Sequence, residues 1–216
     1  ACEQLPLVLL RPDAARQRAC LLVFPSGKAG LFDAAGEPSR LVRPLLEAGI
    51  TVCGADLLFQ GEFLQDGQPV KRTRRVSNPR QAAAYTFGYN ASLFARRVHH
   101  VLSVVAWLQQ QPSAADEIDL VGLQGAGHWV AAAQAQVGTA VTRVVADTQG
   151  FRFDRIDDLH DPDFLPGGAK YHDLPGMLAL GAPRPLFLAG EGQSLPAPIK
   201  IVYSALGKSD AVTCHA

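Results

Sequence analysis

The sequence predicts a three-layer α/β fold with a mostly parallel central sheet. Three observations carry this. Apolar runs of strand length recur along the chain, and they are continuous rather than alternating, as strands covered on both faces are. Amphipathic helical patterns separate several of them. One run, EIDLVG at 117–122, passes through a glycine-rich turn directly into a small-residue helix, in the stretch EIDLVGLQGAGHWVAAA.

The strand-like runs are 5–10, 19–24 (ACLLVF), 50–55 (ITVCGA), 117–122, 142–147 (TRVVAD), 184–189 (RPLFLA) and 199–205 (IKIVYSA). A first helix is expected over 38–48, with Leu41, Leu45 and Ala48 on one face, Pro38 in its first turn and Gly49 closing it. The longest helix is expected over 91–110. There Phe94, Val98, Val101, Val105 and Leu108 form an apolar stripe, Asn90 is placed to cap it, and the adjacent His99 and His100 read as solvent-facing. A further helix is expected over 128–137. Two irregular segments, 56–90 and 148–174, are long enough to be functional or lid-like. The acidic residues of the second, Asp154 to Asp163, lack the spacing of a calcium loop and read as solvated. Asn90-Ala91-Ser92 fits the glycosylation triplet but reads as a helix start.

A chain of 216 residues, 48% hydrophobic and 19% charged, suits one globular domain over 1–216. Its 20 basic and 20 acidic residues balance to a formal charge of zero, which argues against a nucleic-acid partner. The basic cluster Lys71-Arg72-Thr73-Arg74-Arg75, with Arg80, reads as a solvated loop. No apolar run approaches the roughly 20 residues of a membrane span. No signal peptide is visible, and the only methionine is Met177. The N-terminus therefore reads as processed or trimmed, either by signal-peptide cleavage or by excision from a longer polypeptide. Cys2, Cys20, Cys53 and Cys214 include no C-x-x-C pair, so no metal site is expected. Cys20 and Cys53 read as buried free thiols, and a Cys2–Cys214 bridge would need the chain ends to meet.

The turn at 122–126, GLQGA, has the form of a nucleophile elbow, in which small flanking residues let strand and helix approach and the apex side chain projects into the site. Here the apex is Gln124, or Gly125 in the neighbouring register, and neither is a nucleophile. The other parts of a triad follow in chain order. Glu191, after RPLFLAG, stands where a carboxylate would orient an imidazole, and His215 follows near the end of the chain. The turn FPSGKAG at 24–30, with Ser26 and Gly27, occupies the position of the loop that donates the second oxyanion-hole N–H, and Gly125 is grouped with it as part of an oxyanion-type site. Each of these has a plain structural reading as a loop or terminal residue.

A rival reading is dinucleotide binding. Gly122, Gly125 and Gly127 lie between strand and helix, with Asp147 ending the next strand, but the glycine spacing is reversed from the usual fingerprint. A third reading is a binding module that uses the fold without chemistry.

The stretches FPSGKAGLFDAAGEP, GADLLFQGEF, TRRVSNPRQAAAYTFGYNASLFARRVHHVLS, VGLQGAGHW, FLPGGAKYHDLPGMLAL and APRPLFLAG together resemble the acetyl-xylan-esterase-like α/β hydrolases of environmental bacteria, over most of residues 18–190. The resemblance implies a secreted or periplasmic hydrolase of polysaccharide esters with a Ser-Asp/Glu-His triad and no cofactor. Carried over by position, the nucleophile falls on Gln124, the acid on Glu191 and the base on His215. The departure at Gln124 points to a degenerate copy, and such a copy would work beside a companion hydrolase domain. The expected function is therefore an esterase-like domain without triad catalysis, with an active polysaccharide esterase as the alternative.

Overall fold

The computed structural model describes residues 3–73, 83–111 and 115–215. Its strands are β1 (Leu7–Leu10), β2 (Arg18–Val23), β3 (Thr51–Ala55), β4 (Glu117–Gly122), β5 (Arg143–Asp147), β6 (Leu186–Ala189) and β7 (Val212–His215). They form one sheet in the order β1-β3-β2-β4-β5-β6-β7. Only β1 runs antiparallel to its neighbour; the other pairings are parallel. Parallel neighbours need crossovers. The connections carry helices α1 (Arg43–Glu47), α2 (Ala83–Phe87), α3 (Leu93–Gln109), α4 (Gly127–Gln134), α5 (Asp173–Ala179) and α6 (Ala197–Ala205).

Alternate residues of β1 to β4 feed two cores, and β5 to β7 feed one. Leu21, Val23, Ile118, Leu120, Val144 and Leu188 pack with Phe94, Val98 and Val105 of α3 and with Trp129 and Val130 of α4. On the opposite face Cys20, Leu22 and Val52 pack with Phe24, Leu31 and Val42. This gives the three layers expected of the sequence. The covering is unequal. β2 and β3 are buried almost throughout, whereas β5, β6 and β7 alternate. Phe187 is 40% exposed between buried Leu186 and Leu188. The sheet is thus covered on both faces over its middle strands and left partly open on one face towards β7. Among the described residues, no helix is long and apolar enough to cross a membrane.

Several expectations are corrected. Residues 199–205 are helical, because Ile199 and Tyr203, one helical turn apart, are the pair that reaches the core. The last strand is β7, over 212–215. The first helix shrinks to Arg43–Glu47, opened by Pro44, and Leu41 is exposed while Val42 is fully buried. Gly49 does close it, at φ +79°. The stripe of α3 is buried as expected, but its cap is Ser92, whose side chain accepts from the Ala95 N–H at 3.2 Å. Asn90 instead donates to the Thr86 carbonyl. Cys20 and Cys53 are free and buried, and Cys214 is also free; Cys2, Arg74, Arg75 and Arg80 lie outside the described residues.

His100 is buried, not solvent-facing. Its Nδ1 accepts from the Leu58 N–H at 3.1 Å, so the ring hydrogen sits on Nε2, 3.0 Å from Glu3. Arg97, also buried, donates to the Leu58 carbonyl at 3.1 Å and lies over the Trp129 ring. Burial pushes the His100 pKa below 6.5, against the pull of Glu3. A group with a lowered folded pKa contributes stability above its unfolded pKa and loses it as pH falls through the folded value. Protonation would also remove the lone pair that binds Leu58. Denaturant melts should therefore show stability falling from pH 7 to pH 5 more steeply in the parent than in His100→Asn, in which an amide oxygen replaces Nδ1.

Candidate active-site crevice at the strand ends

From β2 the chain steps outward to β3 and then crosses back to β4 on the other side of β2. That reversal opens a crevice between the carboxyl ends of β2 and β4, the place where open α/β sheets bind ligands. The two turns singled out in the sequence flank it.

The elbow follows β4. Leu123 extends the ladder by donating to the Val23 carbonyl at 3.1 Å, and then the chain reverses. Gln124 has φ +55° and Gly125 φ +92°, so the apex is left-handed and the Gln124 side chain is exposed. The Asp147 carboxylate accepts the Gln124 N–H at 3.0 Å and the Gln149 N–H at 3.3 Å. A Cβ on Gly127 would come within 2.3 Å of the Asp147 carbonyl, so only glycine lets α4 start this close to β5.

The turn after β2 is held by a buried charge cluster. Asp56 is fully buried and accepts from the Lys28 N–H at 2.9 Å and the Glu62 N–H at 3.0 Å. It also takes the Lys28 ammonium, which bonds Glu62 as well. Burial works against the Lys28 charge, but the bonds to Asp56 and Glu62 outweigh it and raise its pKa. Gly27, at φ +67°, has room for nothing larger, because a Cβ would lie 2.2 Å from Asp56. Ser26 is exposed beside it. Gln60 ties this turn to the next, its amide donating to the carbonyls of Phe24 and Pro25.

Glu191 and His215 end neighbouring strands, Ala189 pairing with His215. The Glu191 carboxylate is buried and bonded elsewhere. Thr148 Oγ1 donates to it, and Arg152 makes a two-pronged contact. His215 is exposed, with its ring stacked on Phe187 at 6.2 Å between centroids. Asp147 was read as a ribose-binding acid, but its carboxylate is turned back into the elbow, where the Gln124 and Gln149 amides occupy it. Gly122, Gly125 and Gly127 are thus internal parts of the elbow.

The segment after β5 folds over α3 and α4. Asp163, read as solvated, turns inward to accept from Trp129 Nε1 at 2.8 Å and lies 3.1 Å from His128 and 3.7 Å from Arg97. Burial opposes its charge, but His128, Trp129 and Arg97 together keep its pKa lowered. The His128 contact is short but poorly aligned, and the ring is instead stacked on Phe151 at 4.3 Å. The two irregular segments meet where Thr73 bonds His160 and Arg72 pairs with Asp158. Among the described residues, no group of three or more His, Cys, Asp or Glu side chains could hold a metal ion.

No protein-family model and no curated protein matches the chain. Solved structures do. A promiscuous CE15 esterase from a marine bacterial metagenome aligns over 94% of this chain and 65% of its own, at 14% identity and TM-score 0.61. Acetyl xylan esterase 1 from Thermoanaerobacterium aligns over 97% and 70%, at 14% identity and TM-score 0.53. Est1E from Butyrivibrio proteoclasticus, solved with ferulic acid bound, aligns over 98% and 83%, at 13% identity and TM-score 0.53. The strand order, the elbow after β4 and these likenesses define an α/β-hydrolase fold.

A left-handed residue with a Cβ costs on the order of 1 kcal/mol. Gln124→Gly is expected to be at least as stable as the parent, and Gln124→Ala about 1 kcal/mol less stable than Gln124→Gly, by chemical denaturation. Asp56→Ala leaves the partly buried Lys28 ammonium with Glu62 alone and two N–H groups without their acceptor, and should cost about 1–3 kcal/mol in the same assay.

Proposed function

We propose that the chain is a carbohydrate-esterase-like α/β-hydrolase domain that holds ligand at the switch-point crevice without triad turnover. The observation that carries this reading is the amide side chain of Gln124 at the left-handed apex. An amide cannot attack an ester, and losing the nucleophile removes nearly all triad catalysis. The bonding of Glu191 supports it. A carboxylate already accepting three bonds from Arg152 and Thr148 has little lone-pair capacity left to orient an imidazole. The esterase names of the structural neighbours support the ester-related part of the reading, and a companion hydrolase domain would supply the turnover this one lacks.

The test is reactivity. The chain should hydrolyse p-nitrophenyl acetate no faster than a surface-lysine background and should take no label from a fluorophosphonate probe. Stoichiometric labelling would overturn the proposal and make Ser26 the first serine to map.

A further inference from the structure

Helices α5 and α6 bury Leu174, Leu178, Ile199 and Tyr203 in the core. Between the two helices runs an open groove of about 550 Å³. Its walls include Leu180, Pro198, Ile201 and Val202, with Tyr171 and His172 as the polar members. Among the described residues, no Asp, Glu, Lys or Arg side chain lines it. Tyr171 is 88% exposed, Leu180 71% and Ile201 66%. Leu206, whose N–H bonds the Val202 carbonyl one turn earlier, continues the same wall and is 52% exposed. Together these four side chains leave on the order of 500 Å² in water, near the top of what a monomer usually exposes as one apolar patch.

The turn that presents Tyr171 is strained. Tyr171, His172 and Asp173 have φ of +55°, +70° and +56°, three left-handed non-glycine residues in succession. Such strain persists only where the surroundings over-determine it. Here the Asp173 carboxylate accepts the N–H groups of Phe153 at 2.9 Å, Asp154 at 3.0 Å and Leu174 at 2.6 Å. A Cβ on Gly176 would lie 1.9 Å from the Tyr171 carbonyl oxygen, so the turn closes directly on α5. An aromatic side chain is thereby held out in water beside an apolar groove.

We propose that this face is the contact of a homodimer, in which a two-fold axis lays the α5–α6 pair of one copy across that of the other and seats each Tyr171 in the opposing groove. A two-fold contact sets one patch against itself. It needs projection and hollow together, and no charge that would face its own copy. Tyr171 and the groove meet the first need, and the uncharged lining meets the second. Tyrosine often anchors interfaces, while charged side chains are scarce at their centres. The exposed side chains already give more than half of the roughly 800 Å² per partner that a stable dimer buries. The inference goes beyond the strand-end crevice and does not depend on it.

The test is sedimentation velocity on the full chain over about 1–100 μM. The parent should shift from one to two copies per particle within that range. Leu180→Glu and Ile201→Glu place like charges against each other across the axis, and each should raise the dissociation constant about tenfold or more; Tyr171→Ala should do the same by removing the anchor. Phe187→Ser, on the open face of β6, should dimerise like the parent. All four positions are exposed, so the variants should keep the parent's circular dichroism. A chain that stays monomeric throughout overturns the inference, as does a dimer that survives Leu180→Glu and Tyr171→Ala or is lost in Phe187→Ser. If that monomer binds anilinonaphthalene sulfonate and Leu180→Glu does not, the groove belongs to a small apolar ligand instead.

Discussion

The buried carboxylate of Asp56 is the constraint around which the crevice is arranged. Leaving water costs an ionised group several kcal/mol unless its lone pairs are used. Here they are used by Lys28, from the turn after β2, and by the Glu62 amide, from the turn after β3. One anion therefore fixes the turn after β2 and the turn after β3 together. Gly27 and Gly61 are crowded against the same oxygens, so neither turn can move without the other. Gln60 adds a second stitch between them, and the Leu123 ladder bond joins the elbow to the end of β2. The geometry at Ser26 and Gln124 follows from this chain of links rather than from any one loop.

Much of the fold was legible because buried parallel strands are written as continuous apolar runs. The α3 stripe was legible because its apolar spacing suits only a helix. IKIVYSA at 199–205 misled because β-branched and aromatic residues have the composition of a strand, while the deciding fact, that Ile199 and Tyr203 share one face, depends on what they pack against. The short β7 carries one fully apolar residue, Val212, and gives almost no periodic signal. His100 looked like a surface residue because spacing cannot distinguish a polar side chain in water from one spent on a buried backbone group.

The site was legible to a different degree. Glycine spacing located the elbow, since close approach of strand and helix leaves a mark in composition. The partners of the candidate residues left none. Asp147 bonding the Gln124 amide, Arg152 closing on Glu191, and α3 holding the Leu58 backbone all join residues far apart in sequence. Asp163 shows the same limit, because an acidic run in a loop gives no sign of which member turns inward to Trp129.

The pairing of Arg152 with Glu191 bears on how a serine placed at position 124 would fare. Removing one partner of a buried ion pair strands the other, at about 3–5 kcal/mol. Freeing the carboxylate by deleting Arg152 would therefore be punished in stability before any gain in rate, and a serine introduced at position 124 first would meet a carboxylate that already accepts three hydrogen bonds. Each step alone is neutral or harmful, and only the combination could be useful. A designer would therefore have to replace Arg152, Gln124 and the imidazole's support in one move.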